Sequence, residues 1–168
     1  MLLFSTVPNN VSAQGRTGVG ISGNYNFQNG GIGAGIRLEY IWSARLIFSP
    51  QLDYYFPFNQ FNELYAGMAI NYAILPFGRN GYLYVLGGGY YNMLLNYASF
   101  NSEKAKLNNF AVEAGAGIAR ARGCLRPFLE QRYDFKWKEA NIRLGIMLYF
   151  GACSGNGKTG NYICPAYK

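Results

Sequence analysis

From Gly18 onward the chain alternates apolar and polar residues with a period of two, in segments of about ten residues bounded by turn residues. Eight strands are predicted. In Gly18–Phe27, Val19, Ile21, Tyr25 and Phe27 share one face and Gly20, Ser22, Asn24 and Asn26 the other; Gln28-Asn29-Gly30-Gly31 is a strong hairpin signal. Ile32–Trp42 sets Ile36, Leu38, Tyr40 and Trp42 against Gly33, Gly35, Arg37 and Glu39, and Leu46–Phe56 sets Phe48, Leu52, Tyr54 and Phe56 against Ser49, Gln51 and Asp53. Pro50 marks a bulge or weak pairing there. Glu63–Ile74 carries Leu64, Met68, Ile70 and Tyr72 on its apolar face. Tyr82–Leu95 is apolar on both faces, so periodicity leaves its orientation open. Asn109–Ala121 opposes Phe110, Val112 and Ile118 to Glu113, Gly115 and Gly117; Arg126–Trp137 opposes Leu129, Tyr133 and Phe135 to Glu130, Arg132 and Asp134; Ala140–Phe150 opposes Ile142, Leu144, Ile146, Leu148 and Phe150 to Arg143, Gly145 and Met147.

The polar faces collect five acids (Glu39, Asp53, Glu113, Glu130, Asp134) and three arginines (Arg37, Arg132, Arg143), with Gln51 and Asn71, among many Gly, Ala and Ser residues. A soluble barrel would turn those charges to water and line its interior with the apolar face. A membrane barrel inverts the arrangement, with apolar faces toward lipid and charges paired inside. The small residues that accompany the charges suit a narrow, crowded interior. The aromatics gather at strand ends, with Tyr54, Phe56, Tyr133, Phe135 and Trp137 at one and Tyr40, Trp42, Tyr149 and Phe150 at the other. Two such girdles meet two lipid–water interfaces. The predicted fold is all-β: a closed eight-stranded antiparallel up-and-down transmembrane β-barrel over residues 14–150. A Cys-containing C-terminal tail follows over 151–168. Residues 1–13 read as a truncated signal peptide, ending in the small-residue pattern Val11-Ser12-Ala13.

Composition agrees with that fold. Hydrophobic residues make up 50% of the chain while mean hydropathy is −0.05, as alternation requires, and only 14% of residues are charged. Asn80–Ser102 has no charge, but Gly87-Gly88-Gly89 and its short apolar core argue against a spanning helix. The net charge of +7 is spread singly between strands, which favours anionic lipid headgroups over nucleic acid. Arg45, Arg79, Arg120, Arg122 and Arg126 fall beside the even-numbered turns and are expected on one rim.

The chain resembles the small OmpA/OmpX-like, porin-like outer-membrane barrels over Gly18–Phe150. The glycine-bearing fifth strand Tyr84-Val-Leu-Gly-Gly-Gly-Tyr90 carries the likeness, with Pro127-Phe-Leu-Glu-Gln-Arg-Tyr-Asp-Phe135 and Ile142-Arg-Leu-Gly-Ile-Met-Leu-Tyr-Phe150. The resemblance implies an outer membrane of Gram-negative type, with outer-membrane lipid and other outer-membrane or periplasmic proteins as partners. Members commonly end near the last aromatic, whereas this chain runs on for 18 residues. An even strand count puts both termini on one side, in the periplasm. Cys124, Cys153 and Cys164 share that oxidising side. Cys153–Cys164 is the expected disulfide, with pairing of Cys124 to either tail cysteine left open.

Little catalytic chemistry is visible. With no His, the commonest general base and metal ligand are missing, and no metal or cofactor is expected. Gly18-Val-Gly-Ile-Ser-Gly23 fits the dinucleotide fingerprint in letters only, since no strand precedes it and no helix follows. Gly155-Asn-Gly-Lys-Thr159 lacks the first glycine of a phosphate loop, its place being taken by Ala152. Glu113, Glu130 and Asp134 read as ion-network members rather than a paired-carboxylate site, because arginines share their face. The expected role is structural, adhesive or complex-docking, with an interior filled by ion pairs. A narrow channel and a soluble barrel holding an apolar ligand are the alternatives.

Overall fold

A computed structural model describes residues 16–56, 62–95 and 108–150. They form eight strands: β1 (Arg16–Asn26), β2 (Ile32–Ile41), β3 (Leu46–Tyr55), β4 (Asn62–Phe77), β5 (Gly81–Leu95), β6 (Asn108–Arg120), β7 (Leu125–Asp134) and β8 (Glu139–Tyr149). Each pairs antiparallel with the next, and β1 closes on β8 from Gly18↔Tyr149 to Asn26↔Asn141. Closure gives every strand two partners, so no unpaired ladder edge faces lipid. No helix in the described residues is long and apolar enough to cross a membrane.

The two-residue period places the side chains. In β2 every residue from Ile32 to Ile41 alternates exposed and buried, with Arg37 and Glu39 inward and Ile36, Leu38 and Tyr40 outward. The same inversion runs round the wall. The outer face carries Ile21, Met68, Val112, Leu144 and their neighbours, while every carboxylate of the described strands lies on the inner face or at its mouth. The soluble-barrel alternative fails on this point, because its apolar residues would have to line the interior.

Three differences from the sequence reading have local causes. β4 continues past Ile74 to Phe77 because a bulge between Ala73 and Leu75 resets the alternation and leaves both Ile74 and Leu75 outward. β7 stops at Asp134, whose carboxylate accepts from the Lys136 and Trp137 amides (2.7 and 3.0 Å) and folds Phe135–Lys138 into a turn. Lys138 completes that turn at φ 57°, a conformation the other tight turns give to Gly30, Gly78 and Gly123. β5, ambiguous in sequence, turns Tyr82, Tyr84, Leu86, Tyr90, Asn92 and Leu94 inward.

Register explains how so many rings fit inside. Five inward aromatics lie directly across a ladder from glycine: Tyr149 from Gly18, Tyr55 from Gly33, Tyr90 from Gly67, Tyr84 from Gly117 and Phe128 from Gly145. A Cβ at Gly117 would stand 2.7 Å from the Tyr84 ring, so glycine there is a space requirement. Each ring has atoms in the space that a side chain on its facing glycine would need.

Candidate functional site

The interior has three layers. The end that carries both termini is closed by Ile41, Ile47, Ala73, Tyr82, Ala121 and Tyr149, all buried. Tyr149 was expected in the aromatic girdle. It lies instead on the Arg143–Met147 face of β8, points inward and hydrogen-bonds to Glu39. Alternation alone decides this, since Phe150, one residue on, is the outward member. Arg126, expected on the rim, is also turned inward: its guanidinium stacks 4.0 Å from the Tyr149 ring centre, and its Nε donates to the Gly123 carbonyl (3.0 Å). The stacking and the bond hold its charge among rings rather than in water.

The middle layer is an ion-pair network centred on Glu130, which is 0% exposed. Arg37 forks onto it from β2 (Nη1 to Oε1 2.7 Å, Nη2 to Oε2 2.6 Å). Arg132 reaches it with Nε at 2.9 Å and Nη2 at 2.6 Å, and the Tyr84 hydroxyl donates at 2.6 Å. Such bidentate, charge-assisted bonds are the strong kind. Arg37 also lies 3.5 Å from Glu39 and stacks over Phe128 at 4.3 Å. Arg132 touches Glu113 at 3.4 Å, Gln51 at 3.3 Å and the Tyr90 hydroxyl. Arg143 on β8 crosses the lumen to β3, donating to Asp53 Oδ2 and Gln51 Oε1, both at 2.7 Å.

Some pairs stay close in the wall, Arg132 with Glu113 and Glu130 and Arg37 with Glu39, but the shortest Arg37 contact goes to Glu130, far round the wall, and Arg143, expected on a β6 or β7 acid, finds Asp53. The barrel is narrow enough that long arginines reach across it as easily as along it. Asp134 points inward but serves the β7–β8 turn, and among the described residues no arginine lies within 4.0 Å of it. Tyr84, Tyr90 and Phe128 also belong to this interior and were not assigned to it from the sequence. The signal was there for the rings: each faces a glycine once the register is known.

The third layer is the mouth opposite the termini, lined by Asn26, Glu63, Tyr65, Asn92, Asn109 and Glu139. Asn26 donates to Glu139 (2.5 Å), Tyr65 and Asn92 donate to Glu63 (2.9 and 3.4 Å), and Lys136 Nζ donates to Asn109 (2.9 Å).

Outside, aromatics band both ends. At the mouth end Tyr25–Phe27, Tyr54–Phe56 and Tyr133–Phe135 form edge-to-face pairs two residues apart, with centroids at 5.3, 5.4 and 5.4 Å. At the other end Trp42 packs between Tyr40 and Phe48 (6.4 and 5.8 Å), and Phe150 is exposed. Trp137 lies in the β7–β8 turn, 5.1 Å from Lys136 Nζ. Cys124 is a free, partly exposed thiol; Cys153 and Cys164, and with them the expected disulfide, lie outside the described residues, as does the signal-peptide reading of 1–13. Among the described residues no group of three or more His, Cys, Asp or Glu side chains is placed to hold a metal ion.

No protein-family model and no curated protein matches the sequence. Solved structures do match the fold. The N-terminal β-barrel domain of Pseudomonas aeruginosa OprF superposes with a TM-score of 0.62 at 17% identity, covering 82% of this chain and 100% of that one. Neisserial surface protein A gives 0.55 at 14% identity, covering 81% and 97%. A de novo designed transmembrane β-barrel gives 0.53 at 17% identity, covering 80% and 95%. In fold, then, this chain is a small closed eight-stranded antiparallel β-barrel like those of these transmembrane proteins.

Proposed function

We propose that the protein is an outer-membrane barrel of a Gram-negative-type bacterium with a structural, adhesive or complex-docking role, and that it is not an open pore. The observation that carries this reading is the lumen. Arg37–Glu130 and Arg143–Asp53 cross it, and Ile41, Ile47, Tyr82 and Tyr149 fill the end beneath. An eight-stranded wall leaves room for little more than such side chains. The reading assigns no reaction to the inner carboxylates, because those of the middle layer are engaged by arginine.

Orientation and lipid contact follow from the two ends. The connections beside the termini are short (42–45, 78–80, 121–124), while residues 96–107 join β5 to β6 at the other end. Short turns on the periplasmic side are the habit of such barrels, which supports the reading that both termini lie there. Arg45, Arg79 and Arg120 are exposed at that end, which suits anionic headgroups at about 1 kcal/mol per charge.

Planar bilayer recording tests the reading. Wild-type protein should show no steady conductance, and Arg132→Ala at most brief openings. A steady, large wild-type conductance unchanged in Arg132→Ala would overturn the filled barrel in favour of a narrow channel. Boiled and unboiled samples should differ in gel mobility, since a closed ladder resists detergent until heated; identical mobility together with carbonate-soluble protein would remove the membrane assignment.

A further inference from the structure

The charges of the interior do not balance layer by layer. Glu39, Asp53, Glu113 and Glu130 each lie within 4.0 Å of an arginine. Glu63 and Glu139 do not: among the described residues, neither has a cation at that distance. They stand on β4 and β8, opposite each other in the strand order of the closed barrel and at the same mouth. Their hydrogen-bond donors are the neutral side chains of Tyr65, Asn92 and Asn26.

A second, independent feature lies at the same place. The Oδ1 atoms of Asn92 and Asn141 are buried and accept no hydrogen bond, and the Oδ1 of Asn24, one layer deeper, is in the same condition; these residues are 1%, 4% and 3% exposed. The Nδ2 of Asn92 is turned to Glu63 and that of Asn24 to Asp53, so the amides have spent a donor on a carboxylate and left an acceptor open. Asn141 sits across the ladder from Asn26, the partner of Glu139. A buried acceptor without a donor costs on the order of 1–3 kcal/mol.

We propose that this mouth is a recessed site for a primary ammonium group, held between Glu63 and Glu139 and donating to the open amide oxygens of Asn92 and Asn141. An ammonium carries three N–H donors on one charge, which matches a set made of acceptors alone. Among the described residues the carboxylates and Cys124 do not assemble into a metal cluster, and a set of two carboxylates and two amide oxygens suits the organic cation. A free polyamine and an exposed lysine of a docking protein present the same group. The site lies above the filled middle layer, so its failure would leave the non-conducting barrel untouched.

The experiment uses the full chain refolded in detergent, with 1,4-diaminobutane, the peptide Gly-Gly-Lys-Gly-Gly, uncharged 1,4-butanediol and calcium as probes. Binding is followed through the side-chain amide NMR signals of Asn26, Asn92 and Asn141. Diaminobutane or the peptide should shift these signals saturably, the first pointing to a free amine and the second to a protein lysine. Butanediol should not. Glu63→Gln and Glu139→Gln keep the shape and remove one charge each, and each should weaken binding at least about ten-fold, the worth of one charge-assisted bond. Both variants must retain the wild-type circular dichroism and heat-shifted mobility; if one does not, the other carries the comparison. Shifts with calcium alone, amine binding equal in both variants, or amine binding seen only after Lys104→Gln/Lys106→Gln would each overturn the proposal, the last because a lysine of the chain itself would then fill the site.

Discussion

Glu130 in the middle of the barrel and Glu63 at its mouth are both inward-facing glutamates on a strand. Glu130 receives five hydrogen bonds, four of them from two guanidinium groups; Glu63 receives two, both from neutral side chains. Depth separates them. The middle of the wall is farthest from either aqueous phase, and a carboxylate there must be fully paired because its desolvation would otherwise cost several kcal/mol. The mouth borders water, so an acid is tolerated there with softer partners.

The largest test of that contrast is Glu130→Ala. It leaves Arg37 and Arg132 buried without their main partner and should destabilise by roughly 3–5 kcal/mol in denaturant unfolding from lipid vesicles. A loss below about 1 kcal/mol would mean that the middle is as wet as the mouth. Tyr149→Phe removes one donor from Glu39 in the apolar end layer and should cost about 1–2 kcal/mol by the same measurement. The effect should grow in the Arg37→Met background, where Glu39 loses its second partner; strict additivity would show that the two bonds do not share the carboxylate. Glu63→Gln should change stability least, within about 0.5 kcal/mol, since only a charge near water is lost. A large loss there would place the mouth energetically with the middle.

Much of this division is written in the sequence and part of it is not. Period two alone assigns Arg37, Asp53, Glu130 and Arg143 to the inside, because a one-residue slip would flip every side chain of a strand. It also assigns Tyr149 inward, and the pull of a terminal aromatic toward an interface position misplaces it. Strand ends are harder to read. Asp134 shortens β7 by capping its turn, and the Ala73/Leu75 bulge lengthens β4, and neither leaves a periodic trace. β5 hides its inner face because tyrosine suits lipid interfaces and crowded interiors alike. Only register, which sets Tyr84 across from Gly117 and Tyr90 across from Gly67, separates the two uses. The cross-lumen pairs Arg37–Glu130 and Arg143–Asp53 are not legible, since reach across the lumen depends on barrel diameter and tilt rather than on neighbours in the chain, whereas Arg132 with Glu113 and Arg37 with Glu39 follow from shared or adjacent strands.

The cross-lumen pairs also constrain the order of assembly. Arg37 and Asp53 belong to the first half of the chain, Glu130 and Arg143 to the second, and each acid of one half is met by a base of the other. Arg37 also has Glu39 and Glu130 also has Arg132 within their own halves, but among the described residues Asp53 and Arg143 are ion-paired only across the halves. A half-formed sheet entering the bilayer would therefore carry exposed, unmatched charges, and would be held at the surface until the opposite half arrived. The same bonds that brace the finished barrel thus act as a checkpoint, making insertion and the β1–β8 seam a single late event.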